Sequence, residues 1–169
     1  MANVIATPMM SFGEAIKTCF KKYATFSGRA RRSEYWWFAL FTHIVSSIPL
    51  YALITWKVGV KSDLEAQAYE SAFDTDKMQA LLAQAESYDT IFYLGIFVLG
   101  FIALALLIPS LAVMARRLHD KGKNAWLILL LLIPIVNIVI AIVFFIWFLM
   151  DGDKEDNQYG PSPKYIPQE

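Results

Sequence analysis

Residues 126–150 are the feature that most limits what this chain can fold into. They read WLILLLLIPIVNIVIAIVFFIWFLM, which is 25 residues without a charged side chain. A helix needs about 20 apolar residues to cross a bilayer core, because unpaired backbone N–H and C=O groups are too costly in hydrocarbon. Hydrophobic residues also make up 57% of the whole chain. The sequence therefore predicts a small all-α integral membrane protein.

Two further apolar blocks bring the number of predicted transmembrane segments to three. These segments are residues 33–56, 90–115 and 125–150. Within the last one, Pro134 removes a backbone hydrogen bond and Asn137 requires a polar partner. The segment is predicted to form either one kinked span, which we prefer, or a re-entrant hairpin whose two limbs are each too short to cross.

An amphipathic helix is predicted over residues 11–26, ahead of the first span. Ser11 and Glu14 have the spacing of a capping box, in which each side chain bonds a backbone N–H at the helix start. Apolar side chains then recur at helical spacing, while lysines take the other side. The apolar set is Phe12, Ile16, Cys19, Phe20 and Tyr23. This pattern predicts a helix on an anionic membrane surface, and a short helix packed against the rest of the protein is the alternative. No cleavable signal peptide is expected, since the first apolar block begins only near residue 34.

Charge patterning gives the predicted orientation. Residues 1–33 carry six Lys and Arg against one acid, and the predicted loop 116–124 carries four. Loops rich in Lys and Arg stay on the cytoplasmic side, so both segments and the N-terminus are predicted to be cytoplasmic. The tail, residues 151–169, is polar and acidic, and charge does not assign it to a side.

Residues 57–89 are predicted to form an acidic extracytoplasmic insertion, with seven acids against three lysines. Ser62 and Glu65 have the spacing of a second capping box, and Asp74 or Thr75 is a second possible helix start. The insertion is therefore predicted to contain two short helical pieces.

Three motifs carry a resemblance to a known family. They are GRARRSEYWWF at 28–38, ARRLHDKGKNAW at 115–126 and GDKEDNQYGPSPK at 152–164. Together they resemble the YhaH/YhaI-like small bacterial inner-membrane proteins, a family classed as a domain of unknown function. The resemblance covers both basic motifs, the spans and the tail, but not obviously residues 57–89. It implies a multi-pass protein of the bacterial inner (plasma) membrane and supplies no established activity.

The two basic motifs also hold the candidate binding residues. These are Arg29, Arg31, Arg32, Glu34, Arg116, Arg117, His119 and Asp120. Guanidinium groups bind phosphate through paired hydrogen bonds, so this face is predicted to engage anionic lipid headgroups or a partner protein. Glu34 lies at the edge of the hydrocarbon and needs a cationic partner, for which an arginine is the natural candidate.

Two other function classes stay open. A small oligomeric transporter or channel subunit would use the intramembrane polar residues His43 and Asn137. A lipid-modifying enzyme would use His119 with Asp120 or Glu34 as acid and base. We prefer the non-enzymatic binding protein, because the sequence carries no nucleophile motif and no P-loop, and no residue is assigned a catalytic role.

Cofactors, metals and nucleic acid are not expected. The acidic run 151–157 resembles a calcium loop, but Asp156 stands where such a loop has its turn glycine. The two basic clusters are already explained by topology, so they do not predict nucleic-acid binding. Membrane lipids are the expected partners, with a homo-oligomer or a membrane protein partner also compatible with the sequence.

Overall fold

The protein, analysed as a computed structural model, is described for residues 4–71 and 73–167. Residue 72 of the predicted insertion and residues 168–169 of the predicted tail lie outside this description. The elements in chain order are β1 Val4–Ala6, α1 Phe12–Lys21, α2 Arg32–Glu70, α3 Thr75–His119, a 3-10 helix Ala125–Leu132, α4 Val136–Leu149 and β2 Tyr165–Pro167. The predicted helical class is confirmed, and the short antiparallel pair of β1 with β2 was not anticipated.

The chain divides into two compact units. The first comprises Met1–Phe41 and Leu106–Glu169, and the second comprises Thr42–Ala105. All the candidate binding residues of the two basic motifs belong to the first unit.

Two helices are long and apolar enough to cross a membrane. These are α2, with 39 residues, and α3, with 45. At 1.5 Å per residue α2 is about 58 Å long, roughly twice the thickness of a bilayer core. The predicted spans 33–56 and 90–115 are therefore parts of longer helices. Residues 57–70 of the predicted insertion continue α2, and residues 75–89 form the first part of α3.

Within the second unit, α2 and α3 run antiparallel. The Trp56 and Tyr88 rings meet edge to face at 5.9 Å. Gly95 lets the helices approach closely, since a Cβ there would lie 2.9 Å from the Leu53 side chain. Near the connection, the Asp74 side chain accepts a hydrogen bond from the Lys77 N–H at 3.1 Å, which confirms the predicted second helix start.

The helix start predicted at Ser62 is wrong. Ser62 lies inside α2, which runs without interruption from Arg32 to Glu70. Extending a helix that has already formed adds a hydrogen bond for each residue fixed, whereas a new helix must pay the cost of nucleation. The Ser-x-x-Glu spacing is therefore not sufficient to start a helix at this position.

Helix α1 begins at the predicted capping box. The Ser11 N–H donates to Glu14 Oε2 at 2.8 Å, and the Glu14 N–H donates to Ser11 Oγ at 3.4 Å. The helix ends at Lys21, five residues before the predicted end. Its Cys19 side is buried, and the Phe20 ring meets Phe38 of α2 edge to face at 5.8 Å. Helix α1 thus packs against the protein, while its contact with a membrane surface stays a prediction.

The last apolar block does not form the single kinked helix that we preferred. It consists of the 3-10 helix and α4, separated by a reversal at Ile133–Ile135. Ile135 has φ 71° and ψ −51°, and the Val136 N–H donates to the Pro134 carbonyl at 2.9 Å. These values describe a γ-turn with positive φ, a rare and strained form. The hairpin alternative is the one that the backbone follows.

Both ends of this hairpin lie at the same place in the first unit. Lys121, just before the hairpin, donates from Nζ to the Asp151 carbonyl just after it, at 2.8 Å. The packing has an apolar core of Leu118, Phe144 and Phe148, and the Tyr35 ring meets Phe148 at 4.5 Å. Helix α4 therefore packs against the start of α2 and the end of α3. As a result, the tail begins beside the two basic motifs.

Candidate functional site

The two basic motifs meet at the start of α2 and the end of α3. The Ala30 N–H donates to the Arg116 carbonyl at 3.0 Å, which joins the motifs through their backbones. His119 Nδ1 lies 3.1 Å from the Gly28 carbonyl oxygen. Gly28 itself has φ +82°, a conformation that glycine adopts without strain. Gly28 therefore lets the chain turn into α2 beside the second basic motif.

Arg116 is the partner that Glu34 needs. Its Nη2 donates to Glu34 Oε1 at 2.8 Å, and both side chains are almost fully buried. Its Nη1 donates to the carbonyl oxygens of Lys22 and Thr25, at 3.2 and 2.6 Å. Arg116 therefore ties α2 to the end of α1, and the prediction of an arginine partner for Glu34 is confirmed.

Cys19 lies beside this ion pair. Its Sγ is 4.0 Å from Glu34 Oε1, and the residue is fully buried. Burial, together with the nearby Glu34 carboxylate, raises the pKa of the Cys19 thiol to about 12. The thiol is therefore protonated and unreactive at neutral pH.

Asp120 lies between two buried arginines. Its Oδ1 accepts from Arg29 Nε at 2.9 Å, and its Oδ2 accepts from Arg117 Nη1 at 2.5 Å. Burial raises the pKa of the Asp120 carboxyl, and the two guanidinium groups oppose that rise. A buried charge is tolerated only when it is paired and hydrogen-bonded, so this triad requires all three members. Arg29, Arg116, Arg117, Glu34 and Asp120 are called the arginine cluster below.

The arginine cluster also holds the tail. Arg29 donates to the carbonyl oxygens of Asp153, Glu155 and Gly160, at 2.5, 2.8 and 3.3 Å. Arg117 donates to the carbonyl oxygens of Phe148 and Met150 at the end of α4. The third motif therefore lies on the same face of the first unit as the two basic motifs.

His119 and Asp120 do not form a pair. Asp120 faces the two arginines, whereas the His119 ring stacks on Tyr159 of the tail, with centroids 3.8 Å apart and planes 6° apart. The His119 carbonyl oxygen accepts from Asn157 Nδ2 at 3.0 Å. His119 therefore contacts the tail through its ring and its backbone, whereas the Asp120 and Glu34 side chains pair with buried arginines.

Arg31, Arg32 and Lys164 are cations of this face that are not fully buried. Arg32 Nε lies 3.2 Å from Asp151 Oδ1, and 44% of its side chain is exposed. Lys164 Nζ pairs with Asp151 Oδ2. Arg31 donates to the Pro8 carbonyl at 2.9 Å and to the Thr7 hydroxyl.

These cations line an open cavity of about 180 Å³, called the polar cavity below. Asp151 and Asp153 also line it. Although burial alone would raise the pKa of Asp151, the hydrogen bonds from Lys164 and Tyr165 and the charge of Arg32 lower it overall. The hydrogen bond to Asp151 raises the pKa of Lys164. Lys164 is therefore charged at neutral pH.

The candidate residues thus divide into two groups. Arg29, Arg116 and Arg117 are at most 5% exposed and bind carboxylates and carbonyl groups of the chain itself. In the described part of the chain, the Nε atoms of Arg116 and Arg117 are buried without a hydrogen-bond partner. Ligand binding by the predicted residues stays a prediction. Among the arginines, Arg31, Arg32 and the buried Arg117 line the open cavity.

Sequence reasoning did not single out Asp151 and Lys164 as site residues. Lys164 is the last residue of the tail motif, which is the one signal that pointed to it. Their role depends on the hairpin, because only a chain that turns back brings residue 151 beside Arg32.

The predicted intramembrane polar residues lie elsewhere. His43 Nδ1 lies 3.1 Å from Ser47 Oγ, one turn further along α2. Asn137 is half-buried in the first turn of α4. Among residues 4–71 and 73–167, no group of three His, Cys, Asp or Glu side chains has an arrangement that would hold a metal ion.

Comparisons with known proteins agree with the resemblance carried by the three motifs. The chain is 30% identical to "Inner membrane protein YhaI" of Escherichia coli over 145 residues, which covers 86% of this chain and 91% of the relative. It is 35% identical to "Inner membrane protein YhaH" of the same organism over 148 residues, or 87% and 93% of the two chains. No solved structure matches.

These relatives support a bacterial inner-membrane location for this chain and an integral membrane protein without a defined activity. The family described as "Protein of unknown function (DUF805)" matches residues 23–161, which contain both basic motifs, all the apolar segments and most of the tail. This chain therefore belongs to the DUF805 family.

Proposed function

We propose that this protein is a non-enzymatic membrane protein whose cytoplasmic face binds the phosphate group of an anionic membrane lipid. The observation that carries the proposal is the polar cavity, where Arg31, Arg32 and Lys164 line one open space of about 180 Å³. Guanidinium and ammonium groups are the side chains that bind phosphate most strongly.

The buried charges have a different role in this proposal. The arginine cluster binds the chain's own carboxylates and carbonyl groups, so it fixes α1, the hairpin and the tail relative to one another. A site that is held rigidly loses less entropy when a ligand binds. The cluster is therefore the support that positions Arg32 and Lys164. Arg117 and Asp120 also line the cavity, but their charged groups are paired with each other.

Asp151 forms ion pairs with Arg32 and Lys164 when no lipid is bound. Its two carboxylate oxygens face Arg32 and Lys164. A lipid phosphate diester, whose two unesterified oxygens share one negative charge, can replace the carboxylate at both cations while leaving Asp151 bonded to the Tyr165 hydroxyl, which donates to it at 2.9 Å. The charged residues that line the cavity are four cations and three acids, an excess of one positive charge that favours an anion over a neutral ligand: Arg31, Arg32, Arg117 and Lys164 against Asp120, Asp151 and Asp153.

The proposed topology places this cavity on the cytoplasmic side. The basic motifs flank α2 and α3, and an excess of Lys and Arg marks cytoplasmic segments. The hairpin of residues 125–150 returns the tail to the same side, so we propose two full spans and one re-entrant segment. The cavity then lies at the cytoplasmic leaflet, whose anionic lipids attract basic segments.

Lipid retention by purified variants tests the proposed function. The variant Arg32→Gln with Lys164→Gln removes the two cations that pair with Asp151, and the variant Lys61→Gln with Lys77→Gln removes the same charge from exposed positions of the second unit. Each protein is reconstituted into nanodiscs, and binding of phosphatidylglycerol is measured against phosphatidylethanolamine. A hydrogen bond to a charged group contributes about 1.5–3 kcal/mol, less where it is exposed to water, so we expect about tenfold weaker phosphatidylglycerol binding in the first variant.

The control variant is expected to bind as the wild type does. Equal loss in both variants would show that net charge alone attracts the lipid. Unchanged binding in the first variant would contradict the proposed function.

A further inference from the structure

A second cavity adjoins the polar cavity. It is an open groove of about 510 Å³, called the aromatic groove below, and Trp36, Trp37, Leu40 and Leu149 line it. Arg32 also lines both spaces. The two spaces therefore lie on either side of the Arg32 side chain.

The surface of the aromatic groove is mainly apolar. The Trp36 indole N–H donates to the Phe148 carbonyl at 3.2 Å, and the Trp37 indole N–H donates to the Met10 carbonyl at 3.0 Å. The polar edge of each ring is therefore occupied. Leu40 is 43% exposed, although leucine is a residue that burial favours. What remains for a ligand is an apolar surface.

The order of these residues along α2 matches the polarity of a lipid. Arg32, Trp36 and Leu40 are spaced four apart, so they lie one above another on one face of the helix. At 1.5 Å per residue they extend about 12 Å along the axis, from a cation through an indole to an aliphatic side chain. This is the sequence of environments that a phospholipid meets from its phosphate to its acyl chain, with tryptophan at the interface.

We propose that the polar cavity and the aromatic groove form one site for a single glycerophospholipid, with its phosphate at Arg32 and Lys164 and one acyl chain along Trp36 and Leu40. The inference rests on the proposed function and names its ligand class. A free phosphate would use only the first half of the site.

The polar cavity, of about 180 Å³ and open on one side, has room for a phosphate and a small substituent such as glycerol. Phosphatidate and phosphatidylglycerol are therefore the proposed ligands.

Three probes separate the two halves of the site. They are inorganic phosphate, glycerol phosphate and dioleoyl phosphatidylglycerol, each measured on the purified full chain in detergent by calorimetry and native mass spectrometry. We expect one phosphatidylglycerol per protein, bound at least a hundredfold more tightly than glycerol phosphate. Equal affinity for phosphatidylglycerol and glycerol phosphate would overturn the two-part site and leave the proposed function intact.

Variants in the groove give the second arm of the test. Leu40→Gln is compared with Leu50→Gln, a leucine of the same helix that is 39% exposed and does not line the groove. Both side chains are partly exposed, so both variants are expected to fold. Leu40→Gln should weaken phosphatidylglycerol binding about fivefold to tenfold and leave glycerol phosphate binding unchanged, while Leu50→Gln should change neither.

The outcomes distinguish a failure of the two-part site from a failure of the proposed function. Equal phosphatidylglycerol binding in Leu40→Gln and Leu50→Gln overturns the acyl half of the site only. If Arg32→Gln with Lys164→Gln leaves the binding of all three probes unchanged, the proposed function fails, and the two-part site fails with it.

Discussion

Replacing Asp120 by Asn removes one negative charge from between Arg29 and Arg117. The carboxylate accepts from Arg29 at 2.9 Å and from Arg117 at 2.5 Å, and its side chain is 4% exposed. Asparagine keeps the shape but has one acceptor oxygen and one donor NH₂ group. One arginine therefore keeps its hydrogen bond, and the other faces a donor.

The expected loss of folding free energy is about 3 kcal/mol. Removing one partner of a buried ion pair costs about 3–5 kcal/mol, because the remaining charge is left without compensation. We expect the lower end of that range, since one hydrogen bond survives. Against a typical total stability of about 5–15 kcal/mol, this is a large fraction.

Equilibrium unfolding in mixed micelles measures this loss. The chain has five tryptophans, so intrinsic fluorescence follows the transition. Asp63→Asn is the matched control, because Asp63 is exposed on α2 and carries the same chemical change. A surface substitution of this kind is expected to change stability by less than about 0.5 kcal/mol.

The reasoning is refuted if the two variants have the same stability. It is also refuted if Asp120→Asn combined with Arg29→Gln loses the sum of the two single effects. Side chains in one ion-pair network are expected to be non-additive, with a coupling of about 0.5–3 kcal/mol.

Two further predictions concern the same unit. Gly152→Ala would place a Cβ 2.5 Å from Asp120 Cγ, so we expect a loss of about 1–3 kcal/mol by the same unfolding assay, whereas Gly13→Ala, in α1 with open space around it, should cost nothing. Wild-type stability of Gly152→Ala would contradict the close approach of the tail. The Cys19 thiol, with its pKa near 12, should resist maleimide at pH 8 in the folded protein and react fully in denaturing detergent, since a rise from 9.0 leaves roughly a thousandfold fewer thiolates. Rapid labelling of the folded protein would show that α1 does not pack as described.

Local signals in the sequence predicted the elements they control. The Ser11 and Glu14 capping box needs only neighbouring residues, and the start of α3 after Asp74 is also a local contact. The apolar blocks were recognisable because hydrocarbon requires long uncharged segments. The same local reasoning failed at Ser62, where a helix was already in progress.

The arrangement of the site depends on contacts between distant residues, which the sequence does not reveal. That Glu34 needs an arginine followed from its position at the hydrocarbon edge, but its partner is 82 residues away. The tail contacts of Arg29 go to backbone carbonyl groups, which every residue carries, so no side-chain pattern marks them. Pro134 and Asn137 were compatible with both a kink and a reversal, and long-range packing of α4 decides between them.

The side of the membrane on which the tail lies tests the central claim most directly. A green fluorescent protein and, separately, an alkaline phosphatase are fused after Glu169, with matching fusions at Lys123 as a reference for the second basic motif. The account predicts a fluorescent first fusion and an inactive second one, as for Lys123, because the hairpin returns the tail to the arginine cluster. An active phosphatase after Glu169 together with a fluorescent fusion at Lys123 would contradict it, since the tail and the basic motifs would then lie on opposite sides of the membrane.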